Sequence, residues 1–234
     1  MLHTTKELME FMTRPSDRLV EDLKRLKGDI MILGAGGKVG PAMAVLAKRG
    51  VDAAGTGARV LAVSLFDRPD APETMRQAGV EVIEADLSDP KQLAALPEAE
   101  NIIYMVGKKF GTEGNESLTW HINVTLPYLV AERFPHSRIV AFSTGNVYGM
   151  APVVSGGFCE EDTPHPIGEY AQTCLGRERV LEHCSVQNET PMLLFRLNYA
   201  IDLRYGVLYD IANAIMEGRP IDVSQCVFNC IGQC

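Results

Sequence analysis

The sequence predicts an α/β protein built on a doubly wound parallel sheet with helices on both faces. Three observations carry that expectation. From Asp29 onward, short aliphatic runs alternate with longer stretches of helical spacing. The runs are nearly continuous in apolar character and bounded by Gly, Pro, Asp or Asn, as parallel strands buried on both faces require. The first run opens directly into a cluster of glycines. The 234 residues, 46% hydrophobic and 22% charged, suffice for one large domain with a full core.

Taken in order, residues 1–28 read as a helical extension, with Leu8, Phe11 and Met12 sharing one face and Leu19, Leu23 and Leu26 repeating at helical spacing after Pro15-Ser16. Gly28 reads as the C-terminal stop. The strand candidates are IMIL (30–33), VLAVSLF (60–66), VEVI (80–83), NIIYMV (101–106), RIVAF (138–142) and MLLFRL (192–197). Six strands separated by helices place a doubly wound domain over residues 29–200. Between them, Val39, Met43 and Leu46 form one apolar stripe, and Leu118, Ile122, Leu126, Leu129 and Val130 another, with a kink expected at Pro127. The longest helix of the second half is expected from Ile167 to about Gln187. Residues 201–234 read as the beginning of a small C-terminal substrate lobe, and the chain as a fragment or shortened form of a longer architecture.

The glycine cluster is Gly34-Ala35-Gly36-Gly37-Lys38-Val39-Gly40, a G-x-x-G-x-x-G spacing between the first strand and a helix. The first glycine allows the sharp turn out of the strand, the next lets a phosphate approach bare backbone, and the last lets the helix pack closely on the sheet. The helix N-terminus then offers N–H groups and a partial positive charge to a pyrophosphate. The loop therefore predicts a Rossmann-type site for NAD or NADP. Ser64, at the end of the second strand, leans toward NADP, whereas Asp67, beside Arg68, leans toward NAD if that strand runs longer; both cofactors stay open. Asp86 and Leu87, after the third strand, fall where an adenine contact is expected.

Composition excludes several classes. A formal charge of −8 argues against nucleic acid, which needs a basic face. The opening MLHTTKELMEFM has no apolar core of a signal segment, and no apolar run approaches a bilayer span, so no membrane role and a cytoplasmic location are expected. The six cysteines fall in the second half without a disulfide framework; Cys226, Cys230 and Cys234 recur every fourth residue but lack flanking ligands, so no metal is expected.

After the fifth strand comes Ser143-Thr144-Gly145-Asn146-Val147-Tyr148-Gly149, and later Gly168-Glu169-Tyr170. With G-x-x-G-x-x-G, Asp86-Leu87 and Asn123, these segments resemble the extended short-chain dehydrogenases/reductases of the NAD-dependent epimerase/dehydratase family over about residues 29–234. The resemblance implies an oxidoreductase or epimerase acting on a sugar or nucleotide-sugar hydroxyl or carbonyl, a small-molecule partner, and a homodimer. It implies cofactor contacts at Gly34, Gly36, Gly37, Lys38, Val39, Gly40, Ser64, Asp86, Leu87, Val106, Gly107, Asn123 and Tyr170. It makes Thr144 the hydroxyl that orients the substrate oxygen and Tyr170 the acid/base, and it points to Lys108, Lys109, Arg196 and Asn198 as substrate contacts. The family's lysine, four residues after the tyrosine, holds the nicotinamide ribose and favours phenolate; here that position is Cys174, which carries no positive charge. Two accounts are open. Another cation, Lys108, Lys109 or Arg177, serves instead, or the protein is a non-catalytic dinucleotide-binding sensor.

Overall fold

The computed structural model describes residues 3–67, 70–224 and 227–233. The aliphatic runs become β1 (Ile30–Leu33), β2 (Val60–Ser64), β3 (Glu81–Glu84), β4 (Asn101–Tyr104), β5 (Arg138–Thr144) and β6 (Met192–Leu197), all parallel in the order β3-β2-β1-β4-β5-β6. The order reverses between β1 and β4, and the crevice beyond the carboxyl ends of those two strands is where such sheets receive ligands. Pairing of Leu33 with both Val63 and Tyr104 keeps those ends level.

Helices α3 (Gly40–Ala54) and α4 (Asp70–Gln77) pack on one face of the sheet, joined by α2 (Asp17–Arg25). On the other face lie α5 (Pro90–Ala95), α7 (Leu126–Arg133) and α8 (Gly168–Asn188), around a core that includes Leu33, Tyr104, Leu126, Phe134, Ile139 and Leu181. Each such large apolar side chain taken out of water contributes about 1.5–3 kcal/mol, which is why the two cores fix the sheet between them. Among the described residues, no helix is long and apolar enough to cross a membrane.

Several expectations are corrected by packing. The edge strands β3 and β6 are not buried on both faces; Leu193 and Phe195 of β6 are exposed, since among the described residues no helix packs on that side of the edge. The N-terminal extension is two helices, α1 (Thr5–Met12), opened by a Thr4/Glu7 capping box, and α2, capped by Ser16. Leu8 and Met12 pack against Ala42, but Phe11 points to solvent, since only one edge of α1 meets α3. Helix α2 ends at Arg25 with Leu26 as its cap, so Gly28 is not the stop; it turns instead at φ +81° beneath Glu100. Helix α3 buries Gly40, Ala44, Val45 and Val51, and the expected stripe Val39, Met43 and Leu46 runs half-buried beside them, lining a groove with Phe142, Phe195 and Leu197.

The break expected at Pro127 comes earlier, as a π-helical turn over His121–Thr125 between α6 (Glu116–Trp120) and α7. Pro127 has no N–H for the carbonyl four residues back, that of Asn123, and the arginine that takes it up is described below. Strand β2 stops at Ser64, and Phe66 at φ +53° turns the chain away, so the strand does not extend to Asp67. After β6 come β7 (Tyr199–Ile201), α9 (Val207–Met216) and β8 (Cys230–Gly232), with β8 parallel to β7. Here Leu208, Ile215 and Met216 are exposed.

Candidate functional site

Glycines decide the shape of the loop after β1 by what a side chain would strike. Gly34 sits at φ +88°, and a Cβ there would come within 2.9 Å of the Val106 nitrogen. At Gly40 a Cβ would press on the Ala35 carbonyl at 2.2 Å, so α3 can begin this close to the loop only at a glycine. Gly37 differs: it is exposed, and the nearest atom to its Cβ position is the Gly34 carbonyl oxygen at 3.7 Å. The loop is therefore tight against the protein at Gly34 and Gly40 and open to solvent at Gly37. No side chain caps α3, so the N–H groups of its first turn, apart from Pro41 which has none, are left for a ligand or solvent. Lys38 lies on the rim with its Nζ 5.1 Å from the Tyr205 ring centroid, and Val39 is half-buried beside it.

Of the other expected dinucleotide contacts, Ser64 ends β2, Asp86 and Leu87 follow β3, and Val106 and Gly107 follow β4. The Ser64 hydroxyl faces Gly36, 2.7 Å from where a Cβ would stand. Asp86 Oδ1 accepts from the Ser88 N–H at 2.8 Å and so shapes the turn into α5, while the Leu87 side chain belongs to the core. Val106 packs on the same core and Gly107 follows it. Arg68, Cys226 and Cys234 lie outside the described residues; Cys230 is exposed in β8.

At the end of β5, Thr144 opens a 3-10 turn over Gly145–Tyr148, its Oγ1 accepting from the Asn146 N–H at 3.2 Å. The fold brings this turn to Tyr170 in the first turn of α8, where the ring packs with Val147, Tyr148 and Cys174, and Thr144 and the Cys174 thiol one turn on are close enough to act on the phenol. Burial pushes the Tyr170 phenol up to about 12, the neighbouring thiol adding to the effect, against weaker opposition from Thr144 and Arg177. Burial also raises the Cys174 thiol, opposed by Arg177 and Lys109. Both groups therefore hold their protons at neutral pH.

Beneath this pair lies Asn123, fully buried in the π turn. Its Oδ1 accepts from the Lys108 N–H at 2.8 Å, and its Nδ2 donates to the Lys108 carbonyl at 3.0 Å and to Thr173 Oγ1 at 2.9 Å. Asn123 thus ties the loop after β4 to α8. Lys109 is exposed, its ammonium 4.9 Å from the Tyr199 ring centroid.

Glu178 was not foreseen. This fully buried carboxylate accepts from Ser143 Oγ at 2.5 Å and from Arg196 Nε and Nη2 at 3.0 and 2.8 Å. Arg196 also donates to the Tyr148 hydroxyl and stands 4.7 Å from that ring's centroid. The signal in the sequence was a carboxylate two turns after Tyr170, on the helix face that meets the sheet. Asn198 lies across Gly145, where a Cβ would be 2.5 Å from its Oδ1. Tyr148, Arg196 and Asn198 line a cavity of about 950 Å3 together with Phe158, which stacks on Tyr148 at 5.2 Å between centroids.

The sequence matches the family model described as NAD dependent epimerase/dehydratase family over residues 30–201. No curated protein sequence matches it. Among solved structures, the chain resembles UDP-glucuronic acid 4-epimerase from Bacillus cereus in complex with NAD (16% identity, TM-score 0.65, covering 82% of this chain and 65% of that one). It also resembles the Bordetella bronchiseptica enzyme WbmG in complex with NAD (17%, TM-score 0.72, covering 89% and 66%). A third is UDP-glucose 4-epimerase from Thermotoga maritima with UDP-glucose (16%, TM-score 0.72, covering 88% and 69%). At these identities the likeness is one of fold, and the chain spans about two thirds of the length of each.

Proposed function

Because the chain belongs to the NAD dependent epimerase/dehydratase family, we propose that it holds NAD on the glycine loop and acts on a carbinol or carbonyl carbon of a nucleotide sugar. The observation that carries this reading is that the fold sets Thr144, at the end of β5, and Tyr170, in the first turn of α8 and packed on Val147, Tyr148 and Cys174, on one chain with a glycine loop that is open at Gly37, where a diphosphate has to lie. The substrate class rests on the relatives of known fold, which act on or bind UDP-sugars.

The residues present fit the cofactor: the bare backbone at Gly37 and the uncapped start of α3 are a cradle for a pyrophosphate. NAD, when bound, supplies a hydride acceptor and donor. The chain does the rest. Thr144 fixes the substrate oxygen by a hydrogen bond, and Tyr170 carries the proton that oxygen gains or loses. With its proton affinity raised by burial, Tyr170 is poised as a donor and is a poor base at neutral pH. Arg196 and Asn198 are proposed to position the sugar nucleotide in the cavity they line, with Lys108 and Lys109, on the loop after β4, contributing from outside it. In this reading residues 29–200 carry the dinucleotide and residues 201–234 contribute to the substrate side.

The test is calorimetric titration with NAD+, NADH, NADP+ and NADPH, followed by incubation of the loaded protein with UDP-glucose and UDP-glucuronic acid and analysis of the sugars by NMR. Preference for the NAD forms with conversion of a sugar is expected. Preference for the NADP forms overturns the cofactor assignment. Binding without conversion of any nucleotide sugar overturns the enzymatic one and leaves a dinucleotide sensor.

A further inference from the structure

A phenol that must exchange its proton near neutral pH needs a fixed positive charge close by, because burial alone favours the neutral form. Helix α8 carries no lysine beside Tyr170; the residue one turn on is the buried Cys174. Two turns on is Arg177, 5% exposed, whose guanidinium runs back beneath the site. Its Nη1 donates to the Phe142 carbonyl at 2.7 Å, two residues before Thr144; its Nη2 donates to Asn123 Oδ1 at 3.0 Å, and its Nε to the Asn123 carbonyl at 3.2 Å. That last acceptor is the carbonyl Pro127 leaves without a helical N–H, so the irregularity in the α6–α7 helix is what seats the arginine.

We propose that Arg177 is the cation of this site, a positioning residue that acts through Tyr170 by supplying, from beneath the Tyr170–Thr144 pair, the positive charge that favours phenolate. The inference rests on the reading of Tyr170 as the acid/base. Charge accounting supports it. Every acceptor of Arg177 is a neutral oxygen, and among the described residues no carboxylate pairs with it. The adjacent carboxylate on the helix, Glu178, is committed to Arg196 and Ser143. Tyr104, whose ring centroid is 5.7 Å from the guanidinium, is driven by burial further into its neutral form and does not compensate the charge.

The groups around the phenol are thus Thr144 from β5, Tyr148 from the turn after it with Arg196 behind it paired to Glu178, Cys174 and Arg177 from α8, and, acting on Cys174, Glu178 and Lys109. Lys109 is exposed over an aromatic ring and screened by water, whereas Arg177 is buried and held by three hydrogen bonds. An arginine keeps its proton at any working pH, so its part is electrostatic and it relays nothing. Gly107 is explained at the same time, since a Cβ there would stand 2.8 Å from Arg177 Nη2.

The experiment replaces Tyr170 with 3,5-difluorotyrosine, whose more acidic phenol titrates where the fold persists, and follows its fluorine resonance against pH in the chain without dinucleotide or sugar. Arg177→Gln is expected to raise the midpoint by about one pH unit or more, and Arg177→Lys to restore most of the shift. A folded Arg177→Gln chain with an unmoved midpoint overturns the proposal. Should Arg177→Gln not fold, Gly107→Ala pushes the guanidinium aside and is expected to raise the midpoint in the same direction; an unmoved midpoint there also overturns it. Because this readout needs no turnover, it separates the two readings. An arginine-sensitive phenol in a chain that converts no sugar sinks the proposed function alone, and an insensitive phenol in an active enzyme sinks this inference alone.

Discussion

Gly37→Val separates dinucleotide binding from folding, and its neighbour Gly40→Ala supplies the contrast. At Gly37 the backbone is not in the left-handed region, and the closest atom to a Cβ is 3.7 Å away, so the stability change should stay within about 0.5 kcal/mol. The same side chain fills the space over the uncapped first turn of α3, where a pyrophosphate would accept charge-assisted hydrogen bonds from backbone N–H groups. Each such bond is worth about 1.5–3 kcal/mol, so losing two weakens NAD binding by about 3–6 kcal/mol, or roughly a hundredfold to ten-thousandfold. At Gly40 a methyl meets a carbonyl oxygen at 2.2 Å, and forcing the helix off the loop should destabilise the protein by about 1–3 kcal/mol. Urea denaturation gives the stabilities and calorimetry with NADH the affinities. A folded Gly37→Val protein that binds NADH as tightly as the parent, or a Gly40→Ala protein of unchanged stability, would refute this reading of the loop.

Three further outcomes are expected. Tyr170→Phe should lower sugar turnover by about 10²- to 10⁴-fold while NAD affinity holds; equal turnover in the two proteins would remove Tyr170 from the chemistry. Cys174→Lys places an ammonium beside a phenol that now titrates at about 12 and should lower that value by about 1–3 units. The phenolate fraction at pH 8 then rises by the same number of decades, and the base-requiring direction of the reaction speeds up at that pH; a pH–rate profile unchanged from the parent would contradict the assignment. Glu178→Ala leaves the Arg196 guanidinium without its carboxylate and Ser143 without its acceptor, and should destabilise the fold by about 3 kcal/mol in urea denaturation. A loss under about 1 kcal/mol would mean that solvent replaces the pair.

The central strands were legible because buried parallel strands leave short, nearly continuous aliphatic runs, and the edge strands β3 and β6, though partly exposed, carry runs of the same length; all six became strands. The glycine loop was legible for a related reason: close backbone approach at Gly34 and Gly40 admits no other residue. Helix faces were less so. Phe11, Leu8 and Met12 fit one stripe, yet only contact with α3 decides which of them it covers. In the site, Thr144 and Tyr170 were suggested by their motif and Arg177 was one of three candidate cations, but nothing in the sequence singled out Arg177 among them or pointed to the pairing of Glu178 with Arg196. Arg177 and Glu178 are charged residues on the buried face of α8, contrary to the usual polarity pattern, and their partners lie 54 and 18 residues away in the chain. The π turn that frees the Asn123 carbonyl left only a proline as its sign.

The central claim, hydride chemistry on a nucleotide sugar with Tyr170 handling the proton, is tested most directly by saturating the chain with NAD+, adding UDP-glucose or UDP-glucuronic acid, and recording reduced nicotinamide by its near-ultraviolet absorbance. Because burial keeps the phenol protonated at neutral pH, the account predicts a signal with at least one of these sugars that rises as the pH is raised in the parent protein and is lost in Tyr170→Phe, with NAD+ bound equally by both. Bound NAD+ with no reduction by either sugar, or the same reduction in parent and variant, would contradict it.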